Sequence, residues 1–246
     1  MTKPGWIAAD WPAPAHVKAG TTTREGGVSK GHYTSFNLAQ HVDDDISAVL
    51  QNRRYLAELL GLSSEPQWLT QVHGCDVSTT ENPLTEADAK VTSGTDEVCV
   101  VMTADCLPVL FCDHAGTCVA AAHAGWRGLA SGVIEHTLEN MPANRDQILA
   151  WLGPAIGPEA FEVGSEVKNV FLKKSTDFDV AFKPSSKDKW LMDIYQAARI
   201  QLKQLGVENV YGGDFCTYTD VKRFYSFRRE KQTGRMASLI WMESML

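Results

Sequence analysis

The chain has 246 residues, 44% hydrophobic and 22% charged, with a formal net charge of −7 at pH 7. These totals are typical of a globular protein with a sizeable core, and they argue against a general binder of nucleic acids or acidic membranes. No apolar run approaches the roughly 18 residues of a membrane span, and the proline-rich N-terminus lacks the apolar segment of a signal peptide. We therefore expect a cytoplasmic protein.

In chain order, the spacing of apolar residues predicts helices and strands that interleave. Four helices are predicted over residues 45–60, 129–140, 164–173 and 194–205, with Asp193 as the N-cap of the last. Strands are predicted over residues 16–23, 67–74, 97–104, 107–113, 117–124, 148–153 and 207–213, followed by a hairpin over 224–242 that turns near Thr233 and Gly234. Because several links are short, we expect an α/β fold, a single domain over residues 1–246 with a mixed β-sheet covered by helices.

The segment DCLPVLFCDHAGTCVAAAHAG, residues 105–125, reads as two strands around a turn. If the loop between the strands has two or four residues, the residue numbers of each pair of opposed residues add up to 229. Cys106 then lies opposite His123. Opposed residues have Cβ atoms about 4.5–5.5 Å apart and face the same side, so one metal ion can touch both side chains. A three-residue loop would turn the two side chains to opposite faces.

A third metal ligand is available in QVHGCDV, where His73 precedes a glycine. One thiolate and two imidazoles suit Zn²⁺, and three protein ligands with one open position describe a catalytic zinc site. Such an ion lowers the pKa of bound water to about 7 or binds an oxyanion. Spacing alone leaves another interpretation open, in which His123 is a hydrogen-bonded core histidine and Cys106 is apolar filling.

The segment AAAHAGWRGLASG, residues 120–132, is unusually poor in bulky side chains. Alanines keep the strand thin, and Gly125 and Gly128 permit a sharp strand-to-helix turn. The helix N-terminus and Arg127 then favour an anion such as phosphate. Trp126 is interpreted either as a stacking platform for a base or as core. The charged run of residues 228–230 is predicted to be surface charge.

These segments, together with TTTREGGVS, ADCLP, YGGDFCTYT and FYSFRRE-x-x-TGRMAS, resemble the YfiH family, also called laccase-domain or polyphenol-oxidase proteins. The likeness runs from about residue 20 to the C-terminus. It implies a catalytic zinc ion bound by His73, Cys106 and His123. It also implies that Arg24, which matches the family's T-R-x-G-G-V-S arginine, is catalytic and that Asn37 contacts substrate.

The resemblance implies purine nucleoside phosphorylase activity. The expected partners are phosphate and the nucleosides adenosine, inosine and S-methyl-5′-thioadenosine, with accompanying deamination of adenosine. Neither nucleic acid nor membrane is an expected partner, and we expect a monomer or a homodimer. Asp105 is a possible proton carrier, although strand alternation turns it away from the face of Cys106.

Three other functions compete with this interpretation. The first is a copper oxidase, as the older family name states, but the chain has seven histidines and no H-x-H pair. The second is an enzyme that edits peptidoglycan precursors by hydrolysing an amide. The third is a non-enzymatic zinc-binding protein in which a fourth ligand, Cys75 being the natural candidate, closes the metal site.

Overall fold

The computed structural model describes residues 5–95 and 97–244. Its strands are β1 (Trp6–Ala8), β2 (Val17–Thr22), β3 (Val77–Ser78), β4 (Ala89–Thr92), β5 (Val98–Thr103), β6 (Leu107–Asp113), β7 (Val119–Ala124), β8 (Ile148–Leu152), β9 (Glu162–Gly164), β10 (Phe182–Pro184), β11 (Lys189–Met192), β12 (Asn209–Gly212) and β13 (Met236–Met242). Its α-helices are α1 (Ile46–Leu60), α2 (Trp126–Ser131), α3 (Val133–Glu139), α4 (Ser165–Leu172), α5 (Ile194–Gln204) and α6 (Phe227–Glu230), and short 3₁₀ turns lie at Gly31–Tyr33, Arg145–Gln147 and Thr176–Ala181. Within the described ranges, no helix is both long enough and apolar enough to cross a bilayer.

The strands form three sheets. A four-stranded antiparallel sheet has the order β1-β2-β13-β5, and a small sheet has the order β10-β11-β9. The largest sheet has the order β12-β8-β6-β7-β4-β3 and is mixed, because its outermost pairs, β12 with β8 and β3 with β4, are parallel while its central pairs are antiparallel. The predicted α/β fold with a mixed sheet covered by helices is confirmed.

The two larger sheets pack face to face. The apolar layer between them is built from alternate residues of their strands, including Val101, Leu110, Val119, Ala121 and Ile240. The opposite face of the six-stranded sheet packs against α2 to α5, and the outer face of the four-stranded sheet packs against α1. Both larger sheets are therefore covered on both faces, which explains why most of their strand residues are buried.

Two of the predicted helices, α1 and α5, begin at aspartate side chains that cap their N-termini. Asp45 accepts a hydrogen bond from the Ser47 amide at the start of α1, and Asp193 accepts one from the Gln196 amide at the start of α5. The helix predicted over residues 129–140 is instead two helices, α2 and α3. Gly132 has a left-handed φ of 96° between them, which ends one helix before the next begins.

Two predicted strand segments are wrong, because side chains distant in sequence hold their backbones. In residues 67–74 an isolated bridge from Thr70 to Glu86 replaces the strand. The hairpin predicted over residues 224–242 contributes the strand β13, and its first arm carries the one-turn helix α6. Ser226 caps α6 by accepting from the Arg229 amide, and the amide of Arg228 donates to a carboxylate oxygen of Asp105.

The register predicted for the central hairpin is also wrong. His123 pairs with Pro108, so the partner numbers sum to 231 and Cys106 does not lie directly opposite His123. Asp113 causes the shift, because its carboxylate accepts the Thr117 and Cys118 amides and closes a four-residue turn. A shift of two residues preserves the face, so Cys106 and His123 still point to the same side.

The layer between the sheets predicts a large effect of truncation at its centre. We expect Leu110→Ala to lower the free energy of unfolding by about 2–5 kcal/mol, because Leu110 is fully buried there. Urea denaturation measures this change. The matched control is Val180→Ala, at a side chain that is 70% exposed, which should change stability by no more than about 0.5 kcal/mol. Equal effects of the two truncations would contradict the described packing.

Candidate metal centre

The structure brings the three predicted metal ligands together at one end of the layer between the sheets. His123 lies near the end of β7, Cys106 directly precedes β6, and His73 lies in the loop before β3. Their ligand atoms are all within 4.8 Å of one another, and the two imidazole rings meet edge to face. This His–Cys–His group has the ligand types and spacing of a site for a single metal ion.

One side of the group is open. His123 is buried, Cys106 is half-buried and His73 is exposed, so the ligand atoms can be reached from the His73 side. The group does not include Cys75, the fourth ligand that the structural-zinc alternative requires. Burial raises the pKa of the Cys75 thiol, which disfavours the thiolate that a metal needs. Among the described residues, the arrangement matches a catalytic metal site with an available position.

Asp88 fixes the geometry of the group and was missed by sequence reasoning. Nδ1 of His123 donates to Oδ1 of Asp88 at 2.7 Å, which leaves Nε2 of the His123 ring for the metal position. The same carboxylate accepts the amides of Val72, His73 and Gly74 at 2.7–3.1 Å. These bonds hold His73 in a left-handed conformation with φ 62°. Burial alone would raise the pKa of Asp88, but the hydrogen bonds from His123 and Gly74 lower it, so the carboxylate is ionised.

Cys106 and His123 each favour the charged form of the other. Burial alone would raise the pKa of the Cys106 thiol, but the charge of His123 and hydrogen bonds from both histidines lower it to about 6. Burial alone would lower the pKa of His123, but Cys106 and Asp88 raise it to about 9. The thiolate is thus favoured before any metal arrives, and a cation that binds replaces the imidazolium proton as its partner.

Gly125 makes room for this pairing. A Cβ atom at this position would lie 2.9 Å from Sγ of Cys106 and 3.4 Å from the ring of His73. Gly128 is similarly confined, because its Cβ would approach the Gly74 carbonyl oxygen to 3.0 Å. The small residues of the HAGWRG segment therefore let the loop of His73 and the thiolate approach the end of β7.

Two cavities adjoin the group and share His73, Ala104, Cys106 and Phe227. The first, which we call the aromatic lobe, has a volume of about 230 Å³ and is further lined by Asp105, Trp126, Arg127, Ile156, Phe161, Ile194 and Arg228. The second, which we call the polar lobe, has a volume of about 300 Å³ and is further lined by His41, Gln71, Met102, Thr103, His123 and Arg235. A larger cavity of about 580 Å³ lies beside β1, but its lining includes none of the three ligands.

The other predicted site residues have different positions. Arg127 is exposed at the edge of the aromatic lobe, with its guanidinium 4.4 Å from the centre of the Trp126 ring. Arg24 lines neither lobe, because it pairs with Glu230 at 2.9 Å and stacks on the ring of Tyr225. Its contact with Glu230 nevertheless holds α6, which supplies Phe227 and Arg228 to the site. The catalytic role of Arg24 stays a prediction.

Asn37 is fully buried and also lies outside both lobes. Its Oδ1 accepts the amides of Ala39 and Arg235, and its Nδ2 donates to Asp44. Asn37 thus fixes the backbone of Arg235, whose side chain lines the polar lobe. Direct contact between Asn37 and substrate stays a prediction.

Asp105 and Arg228 are the main corrections at the site. Asp105 has a φ of 87°, so strand alternation does not apply, and it lies in the wall of the aromatic lobe. Its carboxylate accepts the Thr217 hydroxyl at 2.7 Å and the Arg228 amide at 2.6 Å. Arg228, predicted as surface charge, lines the same lobe. The FYSFRRE-x-x-TGR segment was the available signal, since it supplies Phe227, Arg228 and Arg235.

Comparison with known proteins agrees with this site. Residues 18–243 match the family described as multi-copper polyphenol oxidoreductase laccase. The chain belongs to this family. It is 52% identical over 240 residues to a purine nucleoside phosphorylase of Pseudomonas aeruginosa, covering 97% of this chain and 98% of that protein. It is also 52% identical to the purine nucleoside phosphorylase YfiH of Escherichia coli K12, covering 96% of this chain and 98% of YfiH.

Solved structures of family members have the same fold. A protein of Neisseria meningitidis superposes with a TM-score of 0.94 at 48% identity, covering 98% of this chain and all of that chain. YlmD of Geobacillus stearothermophilus superposes with a TM-score of 0.90 at 31% identity, covering 99% of this chain and 98% of YlmD. The curated relatives support a function like that of a purine nucleoside phosphorylase.

The role of Asp88 predicts the effect of a conservative change. Asp88→Asn keeps the shape but removes the charge that holds His123 and the loop of His73, so the affinity for Zn²⁺ should fall about 10- to 100-fold. Competition with a chromophoric chelator measures this affinity. The control is Asp113→Asn, which alters a carboxylate that also accepts backbone amides but lies at the far end of β6. Unchanged affinity in Asp88→Asn would show that the carboxylate does not organise the site.

Proposed function

We propose that this protein is a zinc-dependent purine nucleoside phosphorylase that acts on adenosine, inosine and S-methyl-5′-thioadenosine. The observation that carries the proposal is the position of the His–Cys–His group, because two of its members, His73 and Cys106, form a floor that an aromatic lobe and a polar lobe share. A purine and a phosphate can then approach one ribose from two sides. The names of the curated relatives support the same activity.

The reaction exchanges one bond at C1′ of the ribose for another. The C1′–N9 bond breaks and its electron pair leaves with the purine, while a phosphate oxygen bonds to C1′ and gives ribose 1-phosphate. The purine gains the proton that hydrogen phosphate loses, so atoms and charge balance across the reaction. The transition state has oxocarbenium character, as in glycoside hydrolysis. Holding both reactants in position can lower the barrier by about 7–11 kcal/mol at best.

The aromatic lobe suits the purine. Trp126, Phe161 and Phe227 offer ring faces for stacking, and Phe161 is itself fixed by the guanidinium of Arg228, 5.4 Å from its centre. Asp105 lies in the same wall, and an ionised carboxylate has more acceptor positions than the Thr217 hydroxyl and the Arg228 amide occupy. It can therefore accept a hydrogen bond from the base and orient it, and a role for Asp105 in passing the proton from hydrogen phosphate to the purine stays a prediction.

The donor set favours zinc. Thiolate and imidazole ligands suit Zn²⁺, and copper is the second candidate because the family description names it. One ion here supplies Lewis-acid stabilisation of a nearby oxygen anion and acidifies water, which is the chemistry that the proposed deamination of adenosine requires. A multicopper oxidase needs further ligand groups, whereas residues 5–95 and 97–244 contain a single His–Cys–His cluster of this kind.

Phosphate dependence tests the reaction class. With adenosine and phosphate, the zinc-loaded protein should release ribose 1-phosphate in an amount equal to the sum of adenine and any hypoxanthine formed by way of inosine, as measured by chromatography and phosphorus NMR. Without phosphate, release of adenine should cease. Adenine release that continues at the same rate without phosphate would indicate a hydrolase and would contradict phosphorolysis. Inosine that forms in either mixture reports the deaminase activity separately.

Removal of the thiolate tests the site. Cys106→Ala should lose bound zinc and phosphorolysis together, because two histidines alone hold the ion weakly. Metal analysis and the adenine assay measure both properties. The control is Cys75→Ala, which removes a neighbouring thiol outside the ligand group and should keep one ion per chain. Turnover by Cys106→Ala would refute the assignment, and several copper ions per wild-type chain would favour the oxidase.

A further inference from the structure

The two lobes differ in the charge of their walls. The aromatic lobe contains the carboxylate of Asp105, while the polar lobe, as far as residues 5–95 and 97–244 line it, includes Arg235 and no aspartate or glutamate. A phosphate dianion in the aromatic lobe would lie beside that carboxylate. The polar lobe has the opposite character, because the one permanently charged side chain among the described residues that line it is a guanidinium.

Arg235 is held ready for an anion. Its backbone amide donates to Oδ1 of the fully buried Asn37, and its Nη1 donates to the carbonyl oxygens of Thr233 and Gly234 at 2.9 and 3.1 Å. Those bonds fix the half-buried side chain through one nitrogen only. Within the described ranges, no hydrogen bond engages Nε or Nη2, which form the edge that can bind phosphate through two parallel bonds.

Thr103 supplies an independent observation in the same wall. It is 1% exposed at the end of β5, and its hydroxyl oxygen has no hydrogen-bond partner in the described part of the chain. A buried hydroxyl without a partner is uncommon in a well-packed protein and calls for a ligand or an ordered water. A phosphate oxygen in the polar lobe would accept from it.

We propose that the polar lobe is the binding site for inorganic phosphate, held by the guanidinium of Arg235 with the hydroxyl of Thr103. The inference rests on the proposed phosphorylase function. The nucleoside then occupies the aromatic lobe, so phosphate and purine bind in different lobes that share His73 and Cys106. This arrangement suits a displacement in which the O–C1′ bond forms on one face of the ribose as the C1′–N9 bond breaks on the other.

The arginines of the aromatic lobe are less suitable. Nη1 of Arg228 already donates to the Glu162 carbonyl oxygen at 2.8 Å, and its guanidinium packs over Phe161. Arg127 is exposed and stacks on Trp126. Arg235 also lies over a ring, that of Phe227 at 5.9 Å, so the distinction rests on the walls of the lobes: Arg228 and Arg127 line the lobe that contains the carboxylate of Asp105, and Arg235 does not.

Arg235→Gln tests the assignment in the zinc-loaded protein. The KM for phosphate should rise about 10-fold or more, because a charge-assisted bidentate contact is lost, while the KM for adenosine stays within about 2-fold. Arg54→Gln, at an exposed arginine of α1 outside both lobes, is the matched control and should change neither value.

A binding measurement without nucleoside provides a second readout. Inorganic phosphate should raise the Tm of the wild-type protein and of Arg54→Gln, but not that of Arg235→Gln. Two further variants apply if Arg235→Gln folds poorly. Arg235→Lys keeps the charge and loses the fork, and Thr103→Val keeps the shape and loses the hydroxyl. Each should raise the KM for phosphate, Thr103→Val by about 2- to 10-fold.

The outcomes separate this inference from the proposed function. If phosphorolysis occurs and Arg127→Gln raises the KM for phosphate while Arg235→Gln does not, phosphate binds in the aromatic lobe and the inference is overturned. If the wild-type protein consumes no phosphate, the proposed function fails. In that case the Tm measurement still decides whether phosphate binds through Arg235, and a shift that survives Arg235→Gln overturns the inference.

Discussion

The carboxylate of Asp88 is the interaction on which the candidate site depends. A fully buried carboxylate is costly unless hydrogen bonds satisfy its oxygens, and here three backbone amides and one imidazole do so. The amides come from the loop of His73 and the imidazole is that of His123. A single charge therefore determines where two of the three ligands stand. The main-chain oxygen of Asp88 also accepts the amide of His123, so backbone and side chain fix the same end of β7.

The layered architecture explains why the site forms at an end of the sheets rather than on a face. Along the layer between the two sheets, alternate positions of β6 and β7 carry apolar side chains that fill the space. Near the end of β7, strand alternation places the side chain of His123 on the same side as those of Val119 and Ala121. At this end the apolar side chains of the layer are replaced by open cavities. Gly125 then removes the side chain that would exclude Cys106. The core and the site are successive parts of one layer.

Sequence reasoning succeeded where the signal was local. Caps and apolar spacing predicted α1, α4 and α5, and strand parity predicted that Cys106 and His123 share a face. The face was predicted correctly although the register was wrong by two residues, because side chains along a strand return to the same face every two residues. The two wrong strand segments have a common physical cause, which is a carboxylate that binds backbone amides distant in sequence, whereas the register error and the divided helix have local causes in Asp113 and Gly132. Asp88 holds residues 72–74 and Asp105 holds α6, and no local pattern announces either contact.

The family description and the names of the relatives point to different chemistries, and the structure offers a physical reason to prefer one. A group of three ligands with one open side provides a single charge centre, whereas multicopper oxidation requires several ions close enough to share electrons. The two lobes beside that centre carry opposite features, a carboxylate among aromatic rings on one side and an anchored guanidinium on the other. A phenolic hydroxyl has a single oxygen and cannot bind the guanidinium through two parallel hydrogen bonds as phosphate can. The proposed reaction between a heterocyclic base, a ribose and an anion would give each lobe a group to bind.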